Sequence, residues 1–275
     1  MKIRRITQTL VASACAVALS VSTAGIANAT QSEDASSANV QQVEAALEQV
    51  AVNNDSLIVE SSVLPHESIG SIPLGSGEVT IPEDLNEGVT LDSPGSSSIT
   101  VTPVPSVDWE EAIPLNNGGV TYLSDDGFSE SVIVGDGGVQ MLTTINASSA
   151  PTKYEYELNL ENGQVLELKD GAPAVLNADG SLAAVVEKPW AVDAKGKPVP
   201  THYEIAGDTL IQVVDHQALS ADSYPVVADP FVVPAWLLRC LVGMGINSAS
   251  ILQSAQRGSF WATFGKAAFY CIRGR

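Results

Sequence analysis

The chain has 275 residues, 45% hydrophobic and only 5% aromatic, and carries a formal charge of −19. All 32 acidic residues lie at or before Asp229, whereas Arg239, Arg257, Lys266, Arg273 and Arg275 follow it with no acid among them. This balance argues against nucleic-acid binding by the intact chain, and the asymmetry separates an acidic body from a basic C-terminal segment.

Residues 1–29 read as an export signal. Lys2, Arg4 and Arg5 form a positive start, Leu10 to Val21 is a short apolar run, and Ala27-Asn28-Ala29 supplies a small-x-small cleavage pattern. Cleavage after Ala29 would start the mature chain at Thr30. The apolar run is too short for a comfortable membrane span. Arg4-Arg5 lacks the surroundings of a twin-arginine signal, and Cys15 has Ala12 rather than leucine three residues before it. General secretion to an extracellular or envelope-associated location is the expectation.

Residues 30–117 are rich in Ser, Gly, Asn, Asp, Glu and Pro, with runs such as Ser93-Pro-Gly-Ser-Ser-Ser98 and Pro103-Val-Pro105. This composition predicts a low-complexity, partly flexible region. Val40, Val43, Ala46, Leu47 and Val50 recur at helical spacing and predict one short amphipathic helix over 37–50.

From Gly119 the pattern turns to short strands and turns, predicting an antiparallel β-domain over 118–229, either a sandwich or a rolled sheet. Thr121-Tyr-Leu123, Ser131-Val-Ile-Val134 and Val139-Gln-Met-Leu142 are separated by Asp126-Gly127 and Asp136-Gly-Gly138. Tyr154-Glu-Tyr-Glu-Leu-Asn-Leu160 alternates apolar and polar residues, and Asn162-Gly163 predicts a hairpin to Gln164-Val-Leu-Glu-Leu168. Ala172 to Leu176, Leu182 to Val186, Thr201 to Ile205 and Thr209 to Val214 continue the series.

Tyr224-Pro-Val-Val-Ala-Asp-Pro230, with Tyr154-Glu-Tyr-Glu-Leu, Pro189-Trp-Ala-Val-Asp-Ala194 and Thr201-His-Tyr-Glu, resembles a β-rich region of secreted actinobacterial proteins. That region ends in a YPVVADP-like boundary followed by a variable C-terminal segment, and a similar arrangement occurs in some large secreted toxin-type proteins. The resemblance covers roughly residues 118 to 230. It implies a domain boundary at Asp229-Pro230 and carries no activity or catalytic residues.

The basic segment 230–275 predicts two apolar helical stripes. Trp236, Leu237, Cys240, Leu241, Met244, Ser248, Ile251 and Leu252 form the first, and Phe260, Phe264, Ala267, Ala268, Cys271 and Ile272 the second. Arg257-Gly258 reads as a helix end between them. In an oxidising compartment Cys240 and Cys271 are expected to pair, closing a helical hairpin; two free buried thiols are the alternative. Trp236, Arg239, Arg257, Trp261, Lys266, Arg273 and Arg275 are then candidates for contact with an anionic membrane surface or envelope component. The bland reading is that the hairpin simply docks on the β-domain.

Catalytic and cofactor signals are weak. Asp215-His216 would suit a hydrolase, but no Gly-x-Ser-x-Gly elbow accompanies it, and a polar strand-edge histidine is the simpler reading. Asn177-Ala-Asp179-Gly180 resembles the start of a calcium loop without its remaining acidic ligands, so a hairpin turn is expected. No metal, cofactor or phosphate loop is implied. The resulting expectation is a mainly β protein with appended helices: a secreted, non-enzymatic interaction module. The alternative is a precursor whose acidic β-domain restrains a cationic, membrane-active (antimicrobial-like) C-terminal peptide.

Overall fold

The computed structural model describes residues 24–54, 57–92, 94–95, 98–104, 107–135, 137–161 and 163–273, with side chains from Ser36 onward except those of Val104 and Arg273. The positive start and apolar run of the export signal, Asp136, Asn162 and Arg275 lie outside the described residues, as do parts of the Ser/Pro runs. Ala29 falls in the first helix, α1 (Ala24–Asn53).

Seventeen strands form two antiparallel sheets among the described residues. In chain order they are β1 (Gly70–Leu74), β2 (Gly77–Ile81), β3 (Val89–Asp92), β4 (Ile99–Val104), β5 (Ile113–Pro114) and β6 (Val120–Leu123). Next come β7 (Phe128–Gly135), β8 (Gly138–Ile145), β9 (Lys153–Asn159), β10 (Val165–Lys169), β11 (Ala172–Leu176) and β12 (Leu182–Val186). The series closes with β13 (Ala191–Val192), β14 (Thr201–Ala206), β15 (Thr209–Val214), β16 (Val226–Ala228) and β17 (Phe231–Pro234). Three helices follow: α2 (Ala235–Gly243), α3 (Ser248–Gln256) and α4 (Phe260–Arg273).

The seven-stranded sheet runs β1-β2-β3-β4-β9-β15-β14. The ten-stranded sheet runs β10-β11-β12-β17-β8-β7-β6-β5, with β16 also on β8 and β13 on β16. Strand alternation assigns the faces. Phe128, Val132 and Val134 of β7 join a core shared with Tyr154, Tyr156 and Leu158 of β9 and with the C-terminal helices. Ile133 of β7 and Leu142 of β8 face the other way, where Val43, Ala46, Leu47 and Val50 of α1 cover them. The helical stripe read from the sequence is therefore the docking face of α1.

Three expectations change. The region 30–117, expected to be low-complexity and partly flexible with one short helix, supplies β1 to β4, four strands of the seven-stranded sheet. Ile72, Leu74, Val79, Ile81, Val89, Leu91, Ile99 and Val101 alternate inward and are buried, while the Ser, Thr and Glu that dominate the composition point outward. The expected hairpin at Asn162-Gly163 does not form either. β9 lies between β4 and β15, and β10 pairs with β11 in the other sheet. A turn sequence permits reversal but does not choose a partner, and β9 buries its tyrosines by joining the sheet opposite β7 and β8.

Asp229-Pro230 is likewise not an edge of the β-structure. β16 and β17 form one run along the same side of β8, with Val226 opposite Ile145 and Val232 opposite Val139. Pro230 lacks an N–H and interrupts the ladder, though its carbonyl still accepts from Met141 N–H at 2.9 Å. Beyond this point the outer partner changes from β13 to β12. The C-terminal segment therefore begins with a strand inside the sheet.

Candidate functional site

Pro234 ends β17 and is the N-cap of α2, with extended backbone rather than a place in the first helical turn. The first apolar stripe is divided, however. α2 ends at Gly243, Gly245 takes φ +89°, and Asn247 caps α3 by accepting from Ser250 N–H at 2.8 Å. Two glycines two residues apart weaken the helix enough for the chain to turn and lay α3 over β11 and β12. The region thus contains three helices, with α2 packed on α4.

Cys240 and Cys271 form a disulfide with Cα atoms 5.9 Å apart, joining α2 to α4. Further ties hold the helices to the sheets. Phe260 N–H donates to Glu187 Oε1 at 2.8 Å, and Lys188 N–H donates to Ala255 O at 2.9 Å. Burial raises the Glu187 carboxyl above the ordinary range, opposed by that hydrogen bond from the start of α4.

The candidate contact residues divide into two groups. Trp236 is 2% exposed and packs over Gly77, where no side chain would fit. Trp261 is partly buried, edge-on to Phe231 and Phe260 at centroid distances of 5.6 and 5.1 Å. Both tryptophans hold the helices to the sheets. Arg239, Arg257 and Lys266 are exposed, and Arg239 Nη2 donates to Pro94 O at 3.0 Å. Arg273 ends α4, with its side chain outside the described residues. Val242, Phe269 and Tyr270 are exposed apolar side chains the sequence reading did not select, and Met244, expected on the first apolar stripe, is exposed as well. In α4, Lys266, Phe269 and Tyr270 share the stripe opposite buried Phe260, Phe264 and Ala268.

His216 is fully buried rather than a polar strand-edge residue. Its Nε2 lies 2.8 Å from Pro151 O and its Nδ1 3.1 Å from Tyr224 Oη. These contacts tie the YPVVADP-like segment to the loop before β9. Asn177 and Asp179 form a turn closed by Asn177 N–H to Ser181 O and Ser181 N–H to Asp179 Oδ1, each 2.9 Å.

A second constellation lies between the sheets. Glu130 of β7 is 2% exposed, accepting from Thr143 Oγ1 at 2.8 Å and Tyr156 Oη at 3.3 Å. Thr143 Oγ1 and Tyr156 Oη also lie 2.9 Å apart. Burial pushes the Glu130 carboxyl up to about 8, outweighing those two hydrogen bonds, and Tyr156 is likewise raised. Beside this group is a cavity of about 200 Å³ with Trp109, Phe128 and Tyr154 in its walls. Glu130 was legible in principle: strand alternation places it on the same face as Phe128 and Val132, where an acid is anomalous. Asp229 is also buried, accepts from Trp190 N–H at 3.1 Å, and is held well above the usual carboxylate range by burial, with Glu187 adding to the effect.

No protein-family model matches the chain, and no curated protein matches it. No described helix is long and apolar enough to cross a membrane.

Proposed function

We propose that this protein is an exported, non-enzymatic interaction module. Its C-terminal helices present cationic and apolar side chains to an anionic membrane surface or envelope component. The observation that carries this reading is the integration of the acid-free segment into the fold. β17 lies between β12 and β8, the tryptophans are packed inward, and the disulfide joins α2 to α4. Arg239, Lys266, Phe269 and Tyr270 stay outside in a protein whose body is strongly acidic. The signal-like start and the cystine fit the same export route. Release of a peptide beginning near Pro230 would require pulling a central strand from the sheet, so the reading favours a segment that works in place.

Co-sedimentation of the intact protein with phosphatidylglycerol vesicles, against phosphatidylcholine vesicles, tests this proposal. Each basic residue near an anionic surface contributes about 1 kcal/mol, or roughly fivefold in binding. Arg239→Glu with Lys266→Glu is expected to abolish most binding to the anionic vesicles. Equal sedimentation with both lipids, or none with either, would count against the lipid-surface form of the proposal.

A further inference from the structure

We propose that the aromatic-walled cavity between the sheets binds a small organic cation, an alkyl- or arylammonium, with Glu130 as its counter-ion. Trp109 and Phe128 meet edge-to-face with centroids 5.5 Å apart, and Phe128 and Tyr154 do so at 5.3 Å. Tyr156 lies beside Glu130, while exposed Asp126 and Lys153 place the mouth at the protein surface. An apolar cavity of about 150 Å³ accommodates benzene, so 200 Å³ suits a one-ring amine.

The charges select a cation. Glu130 is bonded only to hydroxyls, and among the described residues no Lys, Arg or His lies within 4.0 Å of its carboxylate. The remaining charged groups lining the cavity are Asp126, Glu155 and Lys153. Lys153 is engaged by Glu204 of β14, two strands away across β15, with Nζ 2.8 Å from Oε2. The groups facing Glu130 from β8 and β9 are Thr143, Tyr154 and Tyr156, all neutral at physiological pH. An entering ammonium therefore meets aromatic rings, two acids near the mouth and an unpaired acid inside, an arrangement that favours cation–π contact and a desolvated ion pair. Among the described residues the Trp109 indole N–H is buried without a partner, leaving a donor that an anionic or carbonyl group could meet, and the test includes that outcome.

Binding below pH 8 converts the neutral Glu130 carboxylic acid into a carboxylate paired with the ammonium, and its proton passes to the buffer. Calorimetry with benzylamine at pH 7, in two buffers of different ionisation enthalpy, reads both affinity and proton release. The expected result is one site, close to one proton released, and benzyl alcohol and benzoate each at least tenfold weaker. Glu130→Gln, close in shape to the neutral acid, is expected to stay folded by circular dichroism and lose the preference for the amine. Trp109→Ala is expected to weaken the amine severalfold with proton release retained. Equal binding of amine and alcohol, preference for benzoate, no binding at all, or an unchanged preference in folded Glu130→Gln would overturn the proposal.

Discussion

Glu130 gives the fold a pH dependence with a defined sign. In the unfolded chain its carboxyl returns to about 4.5, whereas burial between the sheets raises it to about 8. Below pH 4.5 it is protonated in both states. Between pH 4.5 and 8 the unfolded chain releases this proton while the folded protein keeps it, so stability falls as pH rises. The full shift corresponds to a loss on the order of 5 kcal/mol across that window. Asp229 and Glu187 are raised for the same reason and act in the same direction. Urea unfolding followed by circular dichroism at intervals from pH 4.5 to 8.5 measures the slope. Repulsion within an acidic body also lowers stability as pH rises, so Glu130→Gln is the discriminating control. It should remain folded and show a slope smaller by close to one proton. A parental stability that is flat or rises from pH 5 to 8, or an unchanged slope in the variant, would refute the reasoning.

Two further outcomes concern the C-terminal helices. Replacing both Cys240 and Cys271 with alanine opens a loop with a sequence separation of 31 residues and is expected to cost about 3.5 kcal/mol, read as a lower urea midpoint; an unchanged midpoint would contradict it. Gly137, at φ +111°, leaves no room for a Cβ beside the Trp261 ring, so Gly137→Ala should destabilise by about 3 kcal/mol. A thermal midpoint within about 2 °C of the parent would show that the helices are not held there.

Local pattern revealed most of the strands after residue 119, because alternation and Gly-centred turns both act over a few residues. Tyr154, Tyr156 and Leu158 are buried as their spacing requires, but pairing is non-local: β9 joined β4 and β15, while the residues around Asn162-Gly163 connect two sheets. The strands at 70–104 were obscured for a different reason. Each contributes only two inward apolar residues, and averaging over their outward Thr, Glu and Ser gives the composition of a flexible segment. In the C-terminal segment the apolar spacing found most of the buried face, though Met244 and Ser248 on it are exposed, and the cystine followed from two cysteines in an oxidising compartment. The spacing could not show that Phe231 to Pro234 first enters the sheet, or that Gly243 and Gly245 divide a helix. Of the candidate contacts, Trp236 and Trp261 serve packing because an aromatic at a core position gains more by burial than at the surface, while the basic residues stay outside. Glu130 escaped notice because its significance depends on the sheet that covers it.

The central claim is that residues 230–275 work as part of the folded protein. Non-reducing intact mass spectrometry of medium and cells expressing the full-length chain tests it most directly. The account predicts a single species that retains this segment with the Cys240–Cys271 bond intact. A free, disulfide-bonded fragment beginning between Tyr224 and Trp236 would contradict it and establish the segment as a released peptide.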